Sequence, residues 1–177
     1  MKGIYLFKHW LAILLVWLAG FGSVHAEPLP DGLAAALVLK LIPLEQRLRQ
    51  QQDINIVVIG SPSLYELLNL SVGRSLGQGK VGSVSNSLEA ARYADVLYTD
   101  QAEVLENLRP YLIERSILTL SRSLDTGKQM VALAMYDDEG MPGIMINTSA
   151  SRRLGIRWEP AILEVASIFD FQDAVEP

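Results

Sequence analysis

The chain has 177 residues, half of them apolar, with 20 acidic side chains against 15 basic ones. It contains no cysteine, which excludes disulfides, thiol nucleophiles and cysteine-held metals. The acidic balance also argues against nucleic acid or anionic lipid as a partner, since both call for a basic surface.

At the start, Lys2 and Lys8 accompany an apolar run from Trp10 to Phe21. A basic head, a short apolar run and a small-residue end are the three parts of a signal peptide. The run is 12 residues long, short of the roughly 20 that cross a bilayer as a helix, which disfavours an uncleaved anchor. It ends in Ser23-Val24-His25-Ala26, so cleavage is expected after Ala26. Residues 1–26 are read as a signal peptide and 27–177 as one exported domain, without membrane insertion once cleaved. Both histidines, His9 and His25, leave with the signal, and 13 basic and 20 acidic side chains remain, a charge of −7. Without imidazole or thiol, Ser-His-Asp and Cys-His sites and zinc sites on such ligands are ruled out. The expectation is a protein that is not an enzyme and uses no cofactor and no metal.

From Asp31 to about Gln50 the pattern predicts a helix, with Asp31 as its cap, Leu33, Leu37, Leu41 and Leu44 at helical spacing, and Pro43 as a kink or break. Ile54 to Ile59 is β-branched and nearly continuous, the pattern of a strand buried on both faces. Gly60 ends it, and Ser61 and Pro62 supply a cap and a first-turn proline for a helix through about Leu70. Gly73 to Gly82 reads as a loop, with Lys80 to Val84 as a short edge strand. A helix over Leu88–Tyr93, a strand over Ala94–Tyr98, a helix over Glu103–Leu112 and a strand over Ser116–Leu120 follow. This alternation predicts an α/β three-layer sandwich, with a mostly parallel sheet and helices on both faces. Met130–Tyr136 and Gly143–Ile146, joined by Asp137-Asp138-Glu139-Gly140, predict a C-terminal antiparallel hairpin. Ser149–Leu154 and Pro160–Ile168 read as closing helices.

Four motifs invite chemistry. The stretch from Gly73 to Lys80 suggests a phosphate loop, but Arg74 and Val81 stand where such a loop needs glycine and a hydroxyl. Asp125-Thr126-Gly127 matches the aspartic-protease triplet, yet its polar flanks fit a turn better than a buried carboxylate pair. Asp137-Asp138-Glu139 lacks the spacing and the distal bidentate Glu of a calcium loop, and Lys40, Lys80 and Lys128 lie near no patterned serine. Of a different kind are Arg153, Ile156, Arg157 and Trp158, because Trp and Arg are the residue types that most often anchor interfaces. They are the candidate partner-interface residues, against a second reading in which Trp158 caps the core and the arginines are solvated or pair with Glu159 and Glu164.

Residues 116–163 carry a resemblance. Ile117-Leu118-Thr119-Leu120-Ser121 resembles the strand before a glycine-rich turn in the YfiR-like family of small periplasmic regulatory proteins. The family's order continues through an acidic turn, a strand ending in Asn147, a helix bearing Ala150 and Arg152, then Leu154-Gly155-Ile156 and the pair Ile162-Leu163. This chain departs from that pattern at Arg122, where the family usually has aspartate, at Gln129 and Met130 in place of a glycine pair, and at Glu159 and Pro160 in place of serines. Its lack of cysteine marks a divergent member and argues against disulfide-based redox control.

The resemblance implies a periplasmic regulator that binds the extracytoplasmic sensor domain of an inner-membrane signalling protein, repressing a diguanylate cyclase of YfiN type. Homodimers are common among such proteins. The alternative is a small-ligand module with a pocket at the carboxyl ends of the strands, near Gly60-Ser61-Pro62 and Tyr98-Thr99-Asp100. A regulator predicts an exposed apolar patch around the C-terminal segment, whereas a ligand module predicts a polar pocket at the strand ends.

Overall fold

The computed structural model describes residues 29–127 and 130–170; residues 1–26, read above as a signal peptide with both histidines, and Lys128 and Gln129 lie outside them. Pro43 divides the first helical stretch, as its missing N–H requires. Helix α1 spans Asp31–Leu41, a 3-10 turn Ile42–Leu44, and α2 Gln46–Gln50. Asp31 does not cap α1. Pro30 holds the cap position, and the Asp31 carboxylate turns to Arg122 instead. Of the expected stripe only Leu41 is buried, with Leu37 and Leu44 half-buried and Leu33 exposed: the core-facing residues of α1 are Ala34, Ala35, Val38 and Leu41. The helix is apolar on every side, so spacing alone could not select its inner face.

Strand β1, Asp53–Ile59, leads into α3, Pro62–Asn69, with Pro62 in the first turn. The expected loop from Gly73 to Gly82 is instead a tight hairpin of β2, Ser75–Leu76, and β3, Gly79–Ser85. Gly79 makes this possible, since a Cβ there would lie 2.1 and 2.3 Å from the carbonyl oxygens of Gln51 and Gln52. A 3-10 turn at Ala90–Tyr93 precedes β4, Val96–Thr99; α4 spans Ala102–Glu114 and β5 Leu118–Ser121. After the short α5, Leu124–Gly127, come β6, Leu133–Asp138, and β7, Met141–Asn147. Their turn residues Glu139 and Gly140 both have positive φ, 52° and 87°, the conformation that matches a hairpin to the strands' twist. Helices α6, Thr148–Arg153, and α7, Pro160–Leu163, follow, and Ser167–Phe169 is an eighth strand, β8. The second closing helix is thus much shorter than its apolar pattern suggested, because Ser167 to Phe169 pairs with β7.

All eight strands form one sheet in the order β2-β3-β1-β4-β5-β6-β7-β8. The run from β3 to β6 is parallel, β6 and β7 form the antiparallel hairpin, and β8 runs parallel to β7. The mostly parallel α/β sheet with its C-terminal hairpin is therefore as the alternation predicted. β3 pairs with both β1 and β2, so the edge position foreseen for it belongs to β2. Every residue of β4 and β5 is buried, the polar Thr99, Thr119 and Ser121 included, as befits strands in the middle of a sheet covered on both faces.

Candidate functional site

The sheet order changes direction at β1, whose neighbours are β3 on one side and β4 on the other. In open parallel sheets such a switch opens a crevice beyond the carboxyl ends of the strands. The two loops singled out for a ligand do meet there, but the crevice is filled by a residue that the motif search passed over. Arg122, directly after β5, keeps only 16% of its side chain exposed. Its Nη1 donates to the Leu29 carbonyl at 3.0 Å and to the Asp31 carboxylate, and its Nη2 donates to Ser61 Oγ at 3.2 Å. Nε lies 3.7 Å from Asp100 Oδ2, and the guanidinium stands 5.8 Å from the centre of the Tyr98 ring.

Asp100, just past β4, is the second hub. Its Oδ1 accepts from Ser121 Oγ at 2.8 Å and the Arg122 amide at 2.6 Å, and its Oδ2 accepts from the Tyr98 hydroxyl at 2.9 Å. Burial first, and then the neighbouring Asp100, push the Tyr98 phenol well above its ordinary value, because both disfavour a second anion. Burial opposes the charge of Arg122, but Tyr98, Asp31 and Asp100 outweigh it and raise its value. The arrangement ties the start of α1, the β1–α3 turn and the ends of β4 and β5 into one ion-paired cluster. Ser61 is spent on this cluster and does not cap α3. The signal available in the sequence was placement: Asp100 and Arg122 are charged residues directly beyond strands whose every residue is buried.

The C-terminal candidates divide by burial. Trp158 is 9% exposed and Ile156 6%. The indole Nε1 donates to Ser151 Oγ at 3.0 Å, and the Trp158 backbone forms an isolated bridge with Glu45. Glu45 is itself buried and binds two backbone amides, Leu48 at 2.8 Å and Arg157 at 3.4 Å. Arg153 and Arg157 are exposed, with Arg153 Nη1 3.9 Å from Met130 Sδ. Glu159 pairs with Arg49 at 3.3 Å, so its partner comes from α2. The sequence did not flag Glu45, which lies in the break after Pro43.

Beyond this segment, apolar surface is open to water. Leu163 is 45% exposed, Val165 73% and Ile168 53%. They follow one another from the end of α7 through β8, the strand at the far edge of the sheet. The acidic tip is a turn, with Asp137 Oδ1 accepting from the Gly140 amide at 2.6 Å. Among the described residues no cluster of three His, Cys, Asp or Glu is placed to hold a metal ion, and no helix is long and apolar enough to cross a membrane.

Two solved structures illustrate the fold. A conserved domain protein from Vibrio cholerae superposes with a TM-score of 0.54 at 17% identity, over 78% of this chain and 60% of the other. An "ABC domain in complex with L-Trp" from Streptococcus pneumonia superposes with a TM-score of 0.54 at 10% identity, over 76% of this chain and 62% of the other. This chain thus spans about three fifths of each, and at such identities the likeness is one of fold. No curated protein matches the chain. The family model described as YfiR/HmsC-like matches residues 32–167, from the first turn of α1 to the first residue of β8. With that match running from α1 to the start of β8, well over half of the chain, the chain belongs to the YfiR/HmsC-like family, a family of periplasmic regulators of cyclic-di-GMP cyclases.

Proposed function

We propose that this chain is a periplasmic regulator that binds the extracytoplasmic sensor domain of an inner-membrane signalling protein and holds a diguanylate cyclase of YfiN type inactive. The observation that carries the reading is the exposure of Leu163, Val165 and Ile168, which follow one another in one short segment, since exposed apolar side chains brought together on one segment suit a surface that a partner covers. Exposed Arg153 and Arg157 supply polar anchors close by in the chain, while Ile156 and Trp158 support the segment from within. Binding one conformation of the sensor domain would shift its population and lower cyclase output across the membrane. The small-ligand alternative has less support, because Arg122 fills the crevice where its pocket would open.

Deleting the gene and measuring cyclic-di-GMP tests the reading. A rise under at least one envelope condition is expected, and no change under any of them sinks the cyclase version. Val165→Glu with Ile168→Glu should reproduce the rise while the thermal midpoint stays within a few degrees of wild type. Full complementation by that variant would move the interface elsewhere.

A further inference from the structure

Helix α1 reads Asp-Gly-Leu-Ala-Ala-Ala-Leu-Val-Leu-Lys-Leu, with Lys40 as its only cation. A helix apolar on every side is normally covered on every side. Here the core takes Ala34, Ala35, Val38 and Leu41, yet Leu33 and Ala36 stay exposed and Leu37 and Leu39 only half-buried. Between the outer side of α1 and β2 runs a groove lined by Ala36, Leu39, Lys40, Arg74, Ser75 and Leu76. Leu70 and Val72, in the turn that leads to Arg74, are 83% and 47% exposed.

The charge of this groove is out of keeping with the chain. Acids outnumber bases, but the charged residues lining it are both cations, Lys40 and Arg74. Both are exposed, and neither has an ion-pair partner among the described residues. Unpaired cations beside uncovered apolar side chains complement a segment whose apolar residues are flanked by carboxylates. At two residues β2 is too short for the long main-chain pairing of strand addition, so the mode that fits is a helix laid beside α1.

We propose that this groove docks an acidic amphipathic helix of the partner protein, seating an apolar side chain among Ala36, Leu39 and Leu76 and carboxylates against Lys40 and Arg74. The inference rests on the regulator reading and adds a second surface to it, since β2 and β8 are the two opposite edges of the sheet.

The test is complementation of the deletion strain with two variants of the full chain, measuring cyclic-di-GMP. Ala36→Trp fills the groove without changing charge; Lys40→Glu with Arg74→Glu reverses its charge and is expected to weaken docking roughly tenfold. Support is a cyclic-di-GMP level that stays near that of the deletion for both variants while the purified proteins melt like wild type. Restoration of the wild-type level by both overturns the docking site and leaves the regulator reading intact. A deletion that changes nothing overturns the regulator reading and the docking site together. Should Ala36→Trp fail to fold, the charge reversal at two surface positions decides alone.

Discussion

Arg122 and Arg47 stand at opposite ends of the same parallel strands, and each has a buried Nε without a hydrogen-bond partner. Arg122, at the carboxyl ends, meets two carboxylates from different parts of the chain, Asp31 and Asp100. Arg47, at the amino ends, works chiefly through neutral acceptors, Gln51 Oε1 at 2.9 Å and the Ser116 carbonyl at 3.0 Å, with Asp95 3.7 Å away. Asp95 has other donors, since it accepts from the Asn55 amide and side chain. One end is closed by charge and the other by dipoles. The end where α/β sheets usually take a ligand is the one this chain seals with an ion-paired cluster.

Substituting the two arginines should separate them. Arg122→Met leaves two carboxylates without their cation, and a cost on the order of 3 kcal/mol is expected in denaturant unfolding. The value sits at the low end for a buried pair because Asp31 and Asp100 keep 34% and 35% of their side chains in water. Arg47→Met should cost about 1 kcal/mol, since the acceptors it leaves are mostly neutral and Asp95 stays hydrogen-bonded. Equal costs would refute the distinction.

A finer probe of the charged end is Tyr98→Phe, which removes the hydroxyl that donates to Asp100 and should cost about 1.5 kcal/mol near neutral pH. The phenol's value is raised by burial and by Asp100, so the folded chain keeps a proton that the unfolded chain loses at about pH 10. The stabilisation linked to Tyr98 is therefore complete below that pH and is lost as the pH rises beyond it. Unfolding midpoints measured from pH 8 to pH 11 should fall more steeply for wild type than for Tyr98→Phe. Parallel slopes would mean the phenol titrates alike in both states.

The same contrast explains what could be read from the sequence. The sheet was legible because β1, β4 and β5 are buried runs between turn residues, and because Gly140 and the acids before it announce a hairpin. Short strands were not: β2 and β8 have two and three residues, too few to show a period, and only their pairing partners make them strands. The face of α1 was illegible for a different reason, as an all-apolar helix offers no contrast. Arg122 stood out in the sequence only as a departure from the family pattern. Its partner Asp31 lies 91 residues away, a separation that only the fold can close. Trp158 was conspicuous by type, but type does not tell an anchor that faces a partner from one that faces the core. Its indole bond to Ser151 and its backbone bridge to Glu45 are tertiary facts.

The smallest expected effect tests the edge at β8. Asp170 accepts from Ser149 Oγ at 2.6 Å and from Arg152 Nη2 at 2.9 Å, tying the end of β8 to α6. Hydrogen bonds from Ser149 and Thr148, then Arg152, hold its carboxyl below the ordinary carboxylate range. A lowered value in the folded state means that the tie is fully present above the unfolded value of about 4 and is lost as the pH falls through the lower, folded one. Because the group is open to solvent, the effect on global stability is too small to carry the test, and local opening is the better readout. Amide exchange at Ser167, Ile168 and Phe169, corrected for intrinsic rates, should quicken between neutral pH and pH 3 in wild type. In Asp170→Asn it should be quicker from the outset and respond little to acid. If wild type and variant shift in parallel, Asp170 does not hold this edge, and exposed Ile168 is positioned by the pairing of β7 with β8.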